Sequence, residues 1–135
     1  MIELTAKEVV EAFWNAMRTN EFELAASWLS EDFEGYWPQS NELTLGRENF
    51  ISINTAYPAK GKWTFHQNSI VAENNRVVTD VSISDGTLKV RAITFHTVKA
   101  GKICHQIEFW PDEYPAPEWR RQWVSIPKDG YEHSV

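Results

Sequence analysis

The fold is decided by residues 76–110, RVVTDVSISDGTLKVRAITFHTVKAGKICHQIEFW, in which apolar and polar side chains alternate. This alternation predicts β-strands whose two faces differ. Asp85-Gly86 and Ala100-Gly101 interrupt it, and such short glycine-containing turns are typical of tight β-hairpins. The stretch therefore predicts three antiparallel strands, over residues 76–84, 88–98 and 102–110.

The turns also predict which side chains face each other. Two residues in the first turn place Asp80 opposite Arg91, and two in the second place Ile93 opposite Glu108. Glu108 then lies diagonally across from Arg91, at a Cβ separation of about 7–8 Å. We therefore predict that one face of the sheet holds Asp80, Arg91 and Glu108 together.

This predicted trio suits acid–base chemistry. Two carboxylates that share one arginine can differ widely in pKa, which leaves one of them able to move a proton near neutral pH. We predict Asp80, Glu108 and Arg91 as catalytic residues, with Arg91 stabilising developing negative charge. The alternative is a static ion-pair network that fixes the register of the strands.

Aromatic residues are the second functional signal, because seven tryptophans in 135 residues is well above average usage. Aromatic side chains dominate concave sites for flat, mostly apolar ligands, although any single ring can simply fill the core. The residues predicted to line a ligand pocket are Trp14, Trp37, Trp63, Phe95, Gln106, Trp110 and Tyr57.

Composition limits the class of protein. The length predicts a single domain over residues 1–135, with residues 111–135 as an extended tail that forms a lid or packs on a partner. The net charge of −6 and the scattered Lys and Arg residues argue against a nucleic-acid partner. No apolar run approaches the ~20 residues of a membrane span, and the start of the chain lacks a leader pattern, so we expect a cytoplasmic protein.

No metal and no cofactor are expected. Cys104 is the only cysteine, so no internal disulfide is possible. His96 and His105 are predicted to oppose each other on the outer face of the sheet, but a third ligand is missing, and a role at an interface is favoured over metal binding.

Helical periodicity precedes the strands. Thr5-Ala6-Lys7-Glu8 is a capping box, and it predicts a helix over residues 6–18. A shorter helix is expected from residue 22, a strand over residues 31–37, a polar loop over residues 39–45 and a third helix over residues 47–56. Another strand over residues 63–72 completes a pattern in which helices cover one face of a sheet.

The other face of the predicted sheet is also apolar, which favours a second subunit as its cover. We therefore predict a homodimer. The residues assigned to this dimer face are Ile70, Val77, Val81, Ile83, Val90, Ala92, Thr94, His96, Ile103, His105, Ile107 and Phe109.

Four segments in this order and spacing are similar to a known family. They are the opening helix through Trp14, Leu29-Ser30-Glu31-Asp32-Phe33, Gly46-Arg47-Glu48, and the hairpin from Thr97 to Ile103. Through them the chain resembles the nuclear-transport-factor-2-like superfamily, and within it the SnoaL-like polyketide cyclase and ketosteroid isomerase branch. The resemblance implies an α+β cone in which three N-terminal helices pack on a strongly curved, mixed but mostly antiparallel sheet. It also implies a deep pocket between them and dimerisation through the outer face.

The resemblance also bears on the reaction. The isomerase branch carries a tyrosine on the first helix, a general-base aspartate before a proline on the first strand and a protonated aspartate on a central strand. Phe13, Trp37 and Thr94 or Phe95 occupy these places here, so steroid isomerisation by that route is not expected. The cyclase branch uses an acid in the same pocket, and Asp80 or Glu108 is its counterpart.

Three functions follow from these observations. The first is a cofactor-free isomerase or cyclase that transfers protons on an apolar ligand bearing a carbonyl group. The second is a dimeric ligand-binding or accessory protein without turnover. The third is a dimerisation module whose cavity is filled by its own side chains.

Overall fold

A computed structural model of the chain describes residues 3–128. The helices are α1 (Ala6–Arg18), α2 (Phe22–Ala26) and α3 (Gly46–Ala56). The strands are β1 (Leu29–Trp37), β2 (Glu42–Leu45), β3 (Thr64–Glu73), β4 (Arg76–Ser84), β5 (Lys89–Lys99) and β6 (Lys102–Phe109). A 3-10 helix, Glu118–Trp123, follows in the tail. None of the helices between residues 3 and 128 has the length and apolar character that crossing a lipid bilayer requires.

The six strands form one mixed sheet in the order β2-β1-β6-β5-β4-β3. Strands β1 and β6 run parallel, and every other neighbouring pair is antiparallel. The predicted α+β class with three N-terminal helices is confirmed. The predicted polar loop over residues 39–45 is partly wrong, because residues 42–45 form strand β2 and pair with β1.

Helix α1 begins as its capping box predicts. The Glu8 amide donates to Thr5 Oγ1 at 3.2 Å, and the Thr5 amide donates to Glu8 Oε1 at 2.9 Å. Val9, Val10 and Phe13 are buried on the side of the helix that packs against the sheet. The amphipathic pattern thus fixes which side of the helix faces the core.

The sheet face that α1 covers, here called the inner face, is not the predicted one. Val77, Thr79 and Val81 on β4 are fully buried, as are Ala92 and Thr94 on β5. In these two strands the helices therefore cover the residues that the sequence assigned to the dimer. The prediction assigns the faces of these strands the wrong way round because both faces are apolar. Alternation alone does not show which face the helices cover.

The first predicted register is wrong by two residues. Ser84 pairs with Lys89, so Asp80 lies opposite Ile93 and Arg91 lies opposite Ser82. The turn is wider than two residues, because the Asp85 carboxylate accepts hydrogen bonds from the amides of Thr87 and Leu88 at 2.9 and 2.7 Å. A shift of two keeps every side chain on its face, so Asp80 and Arg91 remain diagonal neighbours.

The second predicted register fails through a β-bulge at Cys104. Val98 pairs with Ile103 as predicted, but Thr97 pairs with His105, so one extra residue enters β6. Beyond the bulge Thr94, not Ile93, lies opposite Glu108. A shift of one residue reverses the faces, so Glu108 points to the inner face and away from Asp80 and Arg91. The predicted common face of the trio is therefore wrong.

The same bulge separates His96 from His105. His96 lies opposite Gln106 on the inner face, whereas His105 lies opposite Thr97 on the other side, here called the outer face. The predicted opposition of His96 and His105 is wrong for this reason. Residues 3–128 contain no group of three or more His, Cys, Asp or Glu side chains placed to hold a metal ion.

Candidate functional site

A cavity lies between the inner face and the helices. The cavity has a volume of about 80 Å³, which is room for several water molecules or a small ligand. Its lining residues are Phe13, Trp14, Met17, Phe22, Phe33, Gly35, Trp37, Thr44, Phe50, Ile53, Asn54, Tyr57, Trp63, Phe65, Ile83, Val90, Gln106, Glu108 and Trp110.

Most of the predicted pocket residues line this cavity. The predicted residues found there are Trp14, Trp37, Tyr57, Trp63, Gln106 and Trp110. Phe95 is the exception, because it lies on the outer face with 38% of its surface exposed and contacts Phe109 there. Sequence reasoning did not select the apolar residues of α3, Phe50 and Ile53, whose helical spacing is the signal that places them on a buried side.

Glu108 provides the acidic group of the cavity. Thr94 Oγ1 donates to Glu108 Oε2 at 2.6 Å, and Trp37 Nε1 donates to Glu108 Oε1 at 3.1 Å. Burial raises the pKa of Glu108 above its ordinary value, while hydrogen bonds from Thr94, Trp37 and Trp110 oppose this rise. The two hydrogen bonds therefore hold the carboxyl group in position, and burial shifts its pKa upward, in the direction of neutral pH.

Asp80 and Arg91 form an ion pair outside the cavity. Arg91 Nε donates to Asp80 Oδ1 at 2.6 Å, and Arg91 Nη2 binds the other carboxylate oxygen. The hydrogen bond with Asp80 raises the pKa of Arg91 above its ordinary value. Asn68, at a bulge in β3, also donates to Asp80 Oδ1 at 3.3 Å. The ion pair and Asn68 link β3, β4 and β5. This arrangement matches the alternative prediction for Asp80 and Arg91, a static ion-pair network.

A buried polar chain reaches the cavity from the core. Trp14 Nε1 donates to Thr79 Oγ1 at 3.2 Å, and Thr79 Oγ1 lies 2.8 Å from His96 Nε2. Gln106 Nε2 lies 3.0 Å from His96 Nδ1. His96 is buried among aromatic rings, and this desolvation lowers its pKa to about 3, so the imidazole is neutral at ordinary pH.

Two ring pairs flank the cavity. Trp37 and Trp110 make an edge-to-face contact with centroids 6.3 Å apart, close to Glu108. Tyr57 and Trp63 make a second one at 5.6 Å, and the loop between them connects α3 to β3. Tyr57 is half-exposed, so this side of the cavity lies near solvent.

Comparison with known proteins identifies the family. The SnoaL-like domain model matches residues 10–106, which covers most of the chain. The chain belongs to the SnoaL-like domain family. This match includes α1 from Val10 onward, the first five strands and most of the inner-face residues of the cavity.

Solved structures agree on the fold of this SnoaL-like domain. A protein from Kribbella flavida DSM 17836, proposed to be a ketosteroid isomerase, is 23% identical with a TM-score of 0.82, covering 92% of this chain and 91% of its own. A nuclear-transport-factor-2-like protein of unknown function from Burkholderia xenovorans LB400 is 29% identical with a TM-score of 0.75, covering 90% and 94%.

A proposed SnoaL-like polyketide cyclase from Shewanella denitrificans OS-217 is 9% identical with a TM-score of 0.66, covering 78% of this chain and 90% of its own. No curated protein matches the SnoaL-like chain in sequence. The expected nuclear-transport-factor-2-like fold is therefore confirmed, and these neighbours show the fold rather than a reaction.

Proposed function

We propose that the cavity binds a small, largely apolar molecule bearing a carbonyl group, and that Glu108 transfers a proton on it. The reaction is of the isomerase or cyclase type and uses no cofactor. The observation that carries the proposal is the position of Glu108, because it is the one charged side chain among the described residues that line the cavity. Apolar walls with a few convergent polar groups are typical of small-molecule sites.

The surroundings of Glu108 support this role. The resemblance places the two aspartates of the isomerase branch at Trp37 and at Thr94 or Phe95, and both Trp37 and Thr94 donate hydrogen bonds to Glu108. The acid of this cavity lies on β6, and Trp37 and Thr94 orient it. A carboxyl group whose pKa is raised by burial works more efficiently as a general acid or base near neutral pH.

The step that we propose is reversible enolisation. The Glu108 carboxylate removes a proton from the carbon next to the ligand carbonyl, which leaves an enolate, and the protonated carboxyl group returns a proton to that or another carbon. In heavy water the protonated carboxyl group exchanges its proton with the solvent while the enolate is bound, so the carbon receives deuterium and the reaction labels a ketone without consuming it.

Deuterium incorporation into 1-indanone tests the proposal. The wild type should accelerate exchange at the carbon next to the carbonyl, and Glu108→Gln should lower the rate by about 100-fold or more, as expected for a lost general base. The measurement is mass spectrometry over time, with Asp80→Asn as the control, because Asp80 lies on the outer face. Equal rates in Glu108→Gln and the wild type would refute the catalytic role.

The second candidate is a ligand-binding protein without turnover. It is favoured by the hydrogen bonds that Glu108 already accepts on both of its oxygens, which suit a fixed polar contact. In this case 1-indanone quenches tryptophan fluorescence on binding, but the protein does not accelerate deuterium exchange. The third candidate, a module whose cavity is filled by its own side chains, does not fit the open cavity.

We also propose a homodimer through the outer face. The corrected face carries exposed Phe95 on β5 and exposed Val71 on β3, with Val78, Ile107 and Phe109 beside them. An apolar face in the middle of a sheet is typical of a surface that another subunit covers.

A further inference from the structure

Gln106 is almost fully buried, yet part of its side chain is open to the cavity. Only 5% of its surface is exposed, and it lines the cavity. Among residues 3–128 its carboxamide makes one side-chain hydrogen bond, to His96. No fully buried side-chain nitrogen or oxygen between residues 3 and 128 lacks a partner, so the other polar atom of the amide is accessible. The space that Gln106 is seen to line, among the residues that the structure describes, is the cavity.

Counting hydrogens decides which end of the amide faces the cavity. The oxygen and nitrogen of a glutamine amide are distinguished by their hydrogen-bond partners, and a neutral imidazole has one donor and one acceptor. If the amide nitrogen donates to Nδ1, His96 carries its hydrogen on Nε2 and donates it to Thr79 Oγ1. Thr79, which is fully buried and already accepts from Trp14, then has no acceptor for its own hydroxyl hydrogen among the described residues.

Turning the Gln106 amide by 180° satisfies every donor. Trp14 then donates to Thr79, Thr79 donates to Nε2 of His96, and Nδ1 of His96 donates to the amide oxygen. An unsatisfied buried hydroxyl is costly, so this second arrangement is favoured. It leaves the amide N–H groups of Gln106 at the cavity.

We propose that Gln106 donates a hydrogen bond to the carbonyl oxygen of the ligand, and that His96, held by Thr79 and Trp14, fixes the amide in this orientation. This inference rests on the proposed function and names the ligand group that the site selects. Gln106 and Glu108 are two residues apart on the inner face of β6, or about 7 Å. This distance lets Gln106 hold a carbonyl oxygen while Glu108 reaches a hydrogen on the adjacent carbon. Gln106 then determines specificity, and His96 is a positioning residue.

The binding test compares 1-indanone with indane, which has the same rings but no carbonyl group. Fluorescence titration of the wild type should show at least about tenfold tighter binding of 1-indanone. In Gln106→Met, which keeps the length of the side chain but not the amide, the preference should fall by about five- to tenfold, the size of one hydrogen bond. Gln67→Met on β3 is the matched control, because Gln67 does not line the cavity.

The outcomes separate the inference from the proposed function. If both compounds bind and Gln106→Met keeps the full preference for 1-indanone, the role of Gln106 is refuted and the cavity remains a ligand site. If neither compound binds, the proposed function fails and the inference fails with it. A preference lost in Gln106→Met and kept in Gln67→Met supports the inference.

The tautomer of His96 provides a test that is read in the wild-type protein, and a variant is needed only to assign the resonance. Nitrogen-15 NMR of the wild type should show His96 protonated at Nδ1, with the resonance assigned by its absence in His96→Gln. Protonation at Nε2 would overturn the proposed orientation of the amide. If the tautomer is as expected, His96→Phe should lower the preference for 1-indanone over indane while indane binding is retained, which a merely structural role would not predict.

Discussion

At the level of single residues, His96 has the clearest consequence for stability. Its pKa is about 3 in the folded protein, against an ordinary value of 6.5, because burial disfavours the charged imidazole. Phe13 and Trp14 pack against it, and its hydrogen-bond partners are Thr79 and Gln106, so none of these neighbours carries a charge that would compensate a proton there. The folded state therefore resists protonation that the unfolded state accepts.

The sign of the resulting pH dependence follows directly. The stability that His96 contributes is fully present above about pH 6.5 and is lost as the pH falls from there towards 3, at about 1.4 kcal/mol per pH unit. As the pH falls through this window, we expect the unfolding free energy of the wild type to decrease more than that of His96→Gln. Urea unfolding at pH 7, 6, 5 and 4 measures it, and parallel curves for the two proteins would contradict the prediction.

At the level of structural elements, Asp85 joins two loops. Its carboxylate accepts hydrogen bonds from the amides of Thr87 and Leu88 within the β4–β5 turn, and from the amide of Lys60 at 2.9 Å in the loop between α3 and β3. These hydrogen bonds lower the pKa of Asp85 below its ordinary value, and the bond from the Lys60 amide has the largest effect. The same contacts that widen the turn therefore also hold the loop that carries Tyr57 at the cavity.

We expect Asp85→Ala to loosen both loops. Hydrogen exchange at the amides of Lys60, Thr87 and Leu88 should accelerate by about tenfold or more, because each loses its acceptor. The control is Ser84→Ala, which removes only the acceptor of the Gly86 amide in the same turn. If Lys60 exchanges at the same rate in Asp85→Ala and in Ser84→Ala, Asp85 does not hold the loop.

At the level of the whole molecule, the proposed dimer depends on Phe95. Phe95 lies between Val78 and Ile107 on the outer face, and a glutamate there would place a charge inside the interface. We expect Phe95→Glu to weaken self-association by about 100-fold, as for the loss of a central aromatic contact. Sedimentation equilibrium measures this, with Leu24→Glu on α2 as an exposed apolar control away from the sheet. A wild type that is monomeric at high concentration would refute the dimer.

How much of this molecule is predictable depends on whether the signal is local. The capping box of α1 and the strands β4 to β6 depend on neighbouring residues, and they form within one residue of where the sequence predicts them, although the β4–β5 turn is wider than predicted. The face shared by Asp80 and Arg91 also survives, because the register error in that hairpin is an even number of residues. Trp14, Trp37 and Trp110 were expected in a pocket because large aromatic side chains favour concave apolar sites.

The sequence by itself determined the family, the α+β order of the elements and most of the aromatic cavity wall. Only the tertiary structure decided which sheet face the helices cover, and that Glu108 rather than Asp80 enters the cavity. The first was open because both faces of the sheet are apolar, and the second was decided by the bulge at Cys104. Ile103 and Gln106 are both buried on the inner face although they are three residues apart, and a strict period of two cannot achieve this without a bulge. Whether a strand forms a bulge depends on packing against distant elements, which local alternation does not encode.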